Sequence, residues 1–173
     1  MVSFTIHNVG PFMSKLLSSD CFDSFLLEEA VIRMAVTYTI DGHLNKDFLE
    51  SDADADPVDP VEQRPFIMQP WSSARGICRE IIKGKKAPSS FRFTLCLKPA
   101  FMAETLKDAP ELLPGTLDVV SALALCIRLD SHGLHLVTGV SMNSFTPDKT
   151  PDRIWDHTVE RFLAAKGIDF VKD

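Results

Sequence analysis

Two acid and histidine pairs carry the most suggestive chemistry of this 173-residue chain: Asp41 with His43, and Asp130 with His132, with His135 three residues further on. A carboxylate that orients an imidazole is the arrangement of a general base. Such a base needs something to activate, and no nucleophile motif such as G-x-S-x-G accompanies either pair. The same histidines could ligate a metal. Zinc wants three or four converging ligands, however, and no Cys or His pair stands at zinc-motif spacing. No catalytic residue, cofactor or metal is therefore assigned, and the histidines read most simply as turn residues facing solvent. Cys21, Cys78, Cys96 and Cys126 are widely spaced, form no C-x-x-C pair and read as reduced, mostly buried thiols.

The second chemical group is cationic. Arg75 and Arg79 lie one helical turn apart and Lys83, Lys85 and Lys86 follow, on a chain whose net charge is −6. A local basic patch can bind a phosphate backbone despite an acidic total. Cations at a helix C-terminus also answer the helix dipole and need no partner. Gly84-Lys85 is not a phosphate loop, because Arg79 stands where the earlier glycine belongs and Lys86 where Ser or Thr belongs. Asp52, Asp54 and Asp56 imitate the first ligands of a calcium loop. Pro57 and Gln63 then occupy the glycine and glutamate positions such a loop requires, so Asp52 to Glu62 reads as a solvated acidic connector.

The elements that must position these groups follow from periodicity. Ser3 to His7 alternates as a short strand, and Pro11 opens a short helix with Phe12, Met13, Leu16 and Leu17 on one face. Ile32, Met34, Val36, Tyr38 and Ile40 share one face of a long strand, Asp41-Gly42 is its hairpin turn, and Leu44 to Leu49 returns. Ala74, Ile77, Cys78, Ile81 and Ile82 give an amphipathic helix from Trp71 to Lys83, ended by Gly84 in a left-handed cap. Phe91, Phe93 and Leu95 form a strand, Pro99 to Asp108 a helix, and Leu123 to Leu129 a strand that turns at Asp130 to Gly133 and returns from Leu134 to Met142. Thr150-Pro151-Asp152 caps the last helix, whose buried stripe is Ile154, Trp155, Val159, Phe162 and Leu163 and whose end is Lys166-Gly167.

That order repeats. Shifting the chain by 89 positions aligns Phe4 with Phe93, Thr5 with Thr94, Phe12 with Phe101, Met13 with Met102, Leu17 with Leu106, Val31 with Val120, Ala35 with Ala124, Asp41 with Asp130 and His43 with His132. Ordinary composition would give roughly two or three such matches over this span. The expectation is one domain, residues 1–173, built of two pseudo-equivalent halves, 1–87 and 90–173, related by an approximate two-fold axis. Its fold class is α+β, an antiparallel curved sheet with helices largely on one face. Trp71 and Trp155 are expected to be equivalent core anchors. At 45% hydrophobic, with no long apolar run and no leader, the chain reads as a soluble protein, cytoplasmic by default.

Tyr38 to Leu44, Ile82 to Lys86, Val137 to Ser141 and Ile154 to Leu163 together resemble a family of small Firmicutes proteins defined as a domain of unknown function. The likeness covers nearly the whole chain, implies a bacterial protein and implies no activity. The duplicated order is also similar to the TATA-binding-protein fold and, more loosely, to half of a sliding clamp. Function does not travel with fold. Two readings follow. The first is a non-catalytic binding or scaffold module acting on a protein or nucleic-acid partner through the sheet or through Arg75, Arg79, Lys83, Lys85 and Lys86, with no membrane involved. The second is a small-molecule binder or enzyme with a pocket between sheet and helices that uses Asp41, His43, Asp130, His132 and His135.

Overall fold

The computed structural model describes residues 1–50, 67–107 and 111–173. In chain order the elements are β1 (Ser3–Ile6), α1 (Val9–Ser18), β2 (Phe25–Arg33), β3 (Thr37–Asp41), α2 (Lys46–Glu50), β4 (Gln69–Pro70), α3 (Trp71–Ile82), β5 (Ser90–Leu97), α4 (Pro99–Lys107), α5 (Thr116–Val119), β6 (Val120–Asp130), β7 (Gly133–Met142), α6 (Thr150–Ala165) and β8 (Val171–Lys172). The strands form one antiparallel sheet in the order β3-β2-β5-β6-β7-β1-β8, with the short β4 also paired to β2. This is the expected α+β class.

Alternation decides the two faces. Phe4 and Ile6, Leu27, Ala30 and Ile32, Phe91, Phe93 and Leu95, Leu123, Leu125 and Ile127, and Leu134 and Leu136 are all buried on the inner face. There they meet Phe12, Leu16 and Leu17 of α1, Trp71, Ala74 and Cys78 of α3, Leu106 of α4, and Trp155, Val159 and Leu163 of α6 in one core. Both tryptophans are buried and both satisfy the indole N–H, as a buried tryptophan must. Trp71 donates to the Leu16 carbonyl at 2.9 Å and Trp155 to the Ala124 carbonyl at 2.7 Å. They are anchors, but to different elements, one to a helix and one to a strand.

The first hairpin differs from its expected form. One long strand ending at Asp41-Gly42 is replaced by β2, a tight reversal at Met34–Val36, and β3. The cause is parity. The register pairs Ile32 with Tyr38 and Ala30 with Ile40, so the reversal maps even positions onto even positions and the alternation runs through the turn unbroken. The front half of β2 was hidden for the opposite reason. A register shift between Leu27 and Glu29 breaks the alternation there, and Leu26 is buried on the outer face with Met68 and Cys96. Lys46–Glu50, expected to lie in a returning strand, is helical. The acidic segment Asp52 to Glu62 lies outside the described residues.

Strand pairing is not two-fold. β5 pairs with β6 of its own half, whereas β1 pairs with β7 and β8 and not with β2. The element order recurs, but the connectivity does not match the expected axis. The helix ends differ too. Gly167, at φ 63°, makes a true left-handed cap, with Gly167 N–H donating to Ala164 and Ile168 N–H to Leu163, the two bonds of a Schellman motif. Gly84 has φ 157°, far from that region, and α3 instead ends where Lys83 turns extended.

The start of α6 is held by Asp148 rather than by Thr150. This buried carboxylate accepts the Thr150 amide at 2.9 Å, the Thr116 hydroxyl at 2.9 Å and the Leu113 amide at 3.2 Å. The Thr150 hydroxyl and amide hold its pKa well below the usual carboxylate value, with Leu113 and Thr116 adding to the effect. A depressed pKa contributes stability that is present above the unfolded value of about 4 and is lost as pH falls toward the folded one. Asp148→Asn is therefore expected to lower the thermal midpoint at pH 7, and the gap to wild type is expected to narrow below about pH 4. Melting curves from pH 7 to pH 2.5 check this; a gap that stays constant would contradict it.

Candidate functional site

The acid and histidine pairs do not come together. β3, which carries Asp41, is an edge strand, while Asp130, His132 and His135 belong to the β6–β7 hairpin. Three strand spacings, about 14 Å, separate β3 from β6. Within each pair the acid holds a loop. Asp41 accepts the His43 backbone N–H at 2.9 Å and lies 2.6 Å from His43 Nδ1, and Asp130 accepts the His132 N–H at 2.8 Å while pairing with Arg128 at 3.0 Å. These are side-chain turns, in which the carboxylate caps the amide two residues on. Those amide bonds are the leading cause that lowers the pKa of each acid, and a carboxylate held that way is a poor base. His135 lies apart from His43, with Nδ1 3.2 Å from the Thr5 hydroxyl and 4.0 Å from Asp173. Among the described residues no three His, Cys, Asp or Glu side chains gather as a metal site.

The thiols are equally quiet. Burial pushes Cys78 up to about 11, and burial with the neighbouring Glu28 pushes Cys96 up to about 12. Nucleophilic cysteine chemistry needs a lowered pKa. A cavity of about 250 Å³ does lie between the sheet and the helices, walled by Phe25, Leu97, Phe101, Trp155 and Phe162. None of the three histidines lines it, and the hydroxyls at its wall, Thr105 and Thr158, donate to carbonyls of their own helices.

Of the basic segment, two cations are held in ion pairs and one lies at a depression. Trp71, Ala74 and Cys78 fix the side of α3 that faces the core. At 100° per residue, Arg75 and Arg79 fall on one flank of that stripe and Ile77 and Ile81 on the other. Arg75 forms an ion pair with Asp23, and Lys83 pairs with Glu80 at 2.5 Å. Arg79, Lys85 and Lys86 are exposed and make no ion pair among the described residues. Two of the five cations, Arg75 and Lys83, are thus partly neutralised by carboxylates.

What α3 does assemble is on its other flank. Ile81, Met34, Ala35, Val36 and Tyr38 line a depression of about 460 Å³ whose rim includes Lys86, Ala87 and Ser89. Val36 and Tyr38 are exposed, and so is Ile77, one turn back from Ile81. The sequence had assigned Ile77 to the buried stripe. It also missed Val36 and Tyr38 as site residues, since they looked like core positions of a strand that in fact turns between them and Ile32. An isoleucine at the margin of a helix stripe that already holds Trp71, Ala74 and Cys78 was the available signal. Depression, sheet edge and Lys86, which has no ion pair among the described residues, thus meet at one corner of the molecule.

These features define an α+β protein with an open antiparallel sheet and an apolar corner that includes Lys86, in which the two Asp–His pairs stay apart from each other. The chain belongs to a family of unknown function (DUF5721), whose model matches residues 15–171. No curated protein and no solved structure matches it. No helix among the described residues is long and apolar enough to cross a membrane.

Proposed function

We propose that this chain is a non-catalytic binding module, that its partner is a protein, and that the contact is the corner formed by Val36, Tyr38, Ile81, Lys85 and Lys86. One observation supports this above the rest: a depression with exposed apolar walls includes Lys86, which has no ion pair among the described residues and is preceded in the chain by the exposed Lys85. Large exposed apolar side chains gathered at one place mark interaction surfaces. A nucleic-acid partner is the weaker reading. Backbone binding needs several cations free to meet phosphates, and Arg75 and Lys83 are already engaged by Asp23 and Glu80. The outer sheet face carries Val31, Arg92, Arg128, His135 and Thr5 in one row. That row holds no Phe, Tyr or Trp ring for base stacking.

The test is a photo-crosslinking side chain installed in place of Tyr38, with the same group at His132 as the control, in cells of the natural source. A protease-sensitive adduct from position 38 and none from position 132 is the expected result. An adduct from position 132 alone, or a nuclease-sensitive one, would refute the reading.

A further inference from the structure

We infer that the partner binds as an added strand: an extended peptide segment with alternating apolar residues and acidic residues at its C-terminal end, paired to the outer edge of β3. This rests on the protein-binding reading and specifies its geometry.

The two edges of the sheet are unlike. β8 is two residues long, and one of them is a lysine, the usual protection of an exposed edge. β3 is five residues, Thr37-Tyr38-Thr39-Ile40-Asp41, of high strand propensity and without lysine or proline. Among the described residues no strand pairs with its outer side. Which backbone groups face outward follows from two hydrogen bonds. The Val36 carbonyl accepts Met34 N–H at 3.0 Å, and Gly42 N–H donates to the Glu28 carbonyl at 2.9 Å. Positions 36 and 42 thus turn inward to β2, and alternation turns the N–H and C=O of Thr37, Thr39 and Asp41 outward.

Side chains alternate with the opposite consequence. Tyr38 and Val36 point to the helix side, where the depression with Ile81 lies. A strand added here would set every second side chain beside that apolar surface, the usual division between main-chain affinity and pocket specificity. In the antiparallel sense shared by every pair in this sheet, the partner would run from Asp41 toward Thr37. Its C-terminal end would arrive at the hairpin tip, where Lys86 lines the depression and Lys85 precedes it in the chain. Acidic residues at that end complement Lys86, which has no ion pair among the described residues, and the exposed Lys85 beside it in the chain.

Thr39→Pro is the discriminating variant. Its N–H faces away from β2, so proline removes a donor for the partner and no bond of the fold. Random dodecamers displayed on phage would be panned on the full-length chain and, in parallel, on Thr39→Pro, Val36→Glu and the double variant Lys85→Ala with Lys86→Ala. Expected are enriched peptides with alternating apolar residues and C-terminal acids, weakened about tenfold by Thr39→Pro, the worth of one main-chain hydrogen bond. The best synthetic peptide should slow amide exchange at Thr37 and Thr39. Peptides that bind wild type and Thr39→Pro alike but fail on Val36→Glu would overturn strand addition and leave the protein-binding corner standing. Enrichment insensitive to all three variants would overturn both. A concentration-dependent dimer of the chain alone, abolished by Thr39→Pro, would assign the edge to a second copy and overturn the proposal.

Discussion

Trp155→Ala should lower unfolding free energy by about 3 to 5 kcal/mol, the range for removing a large aromatic from a packed core. Trp155 is 1% exposed, stands on α6 against Phe25 with ring centres 6.3 Å apart, and donates to the Ala124 carbonyl at 2.7 Å. It is the bolt between α6 and the middle of the sheet. It also forms one wall of the 250 Å³ pocket, which is partly open to solvent, so truncation removes that wall as well as the core contact. Trp155→Phe separates the contributions. It keeps most of the ring volume and drops the hydrogen bond, for a loss nearer 1 kcal/mol. Urea denaturation followed by far-ultraviolet circular dichroism gives both values, and an unchanged midpoint for Trp155→Ala would contradict the packing account.

Gly42→Ala is expected to cost about 3 kcal/mol or more, at the upper end of overpacking. The reason is not turn geometry, as the sequence suggested, but contact. A Cβ at position 42 would lie 1.9 Å from the Leu27 carbonyl oxygen and 2.6 Å from its carbon. Both atoms are backbone in β2, which is paired on both sides and cannot retreat. Gly42 also ties β3 inward through Glu28 and accepts the Gln69 N–H at 2.7 Å, so a shift there loosens β4 as well. Gly76 is the internal control. A Cβ there meets nothing within 4 Å, so Gly76→Ala should gain up to about 1 kcal/mol from helix propensity. Wild-type stability in Gly42→Ala would show that the close approach is absent in solution.

The sequence made the α+β class legible because inner-face residues such as Phe91, Phe93, Leu123 and Leu125 alternate cleanly and helix stripes such as Trp155, Val159 and Leu163 do not compete with them. Topology was less legible. The β2–β3 reversal at Met34–Val36 uses no glycine, proline or asparagine and preserves parity, so nothing local announced it. The 89-position shift aligned His43 with His132 at what read as equivalent turns, and the structure puts these residues on separate parts of the sheet. The site suffered from the hidden reversal. Once Tyr38 is read as the middle of a long strand it belongs to the core; as the second residue of an edge strand it belongs to the surface. For Arg75 and Arg79 the spacing was right, but the ion pair that engages Arg75 was not legible, because its partner Asp23 lies 52 positions away.

The central claim is that the corner of Val36, Tyr38, Ile81, Lys85 and Lys86 is where this protein meets another. Crosslinking from position 38 tests it most directly when repeated in the Lys85→Glu, Lys86→Glu background. The account predicts a polypeptide adduct from position 38 that is lost on reversing the two lysine charges and unaffected by His43→Ala or His132→Ala. An adduct that survives the charge reversal and disappears with either histidine would contradict it and return the function to the turn histidines.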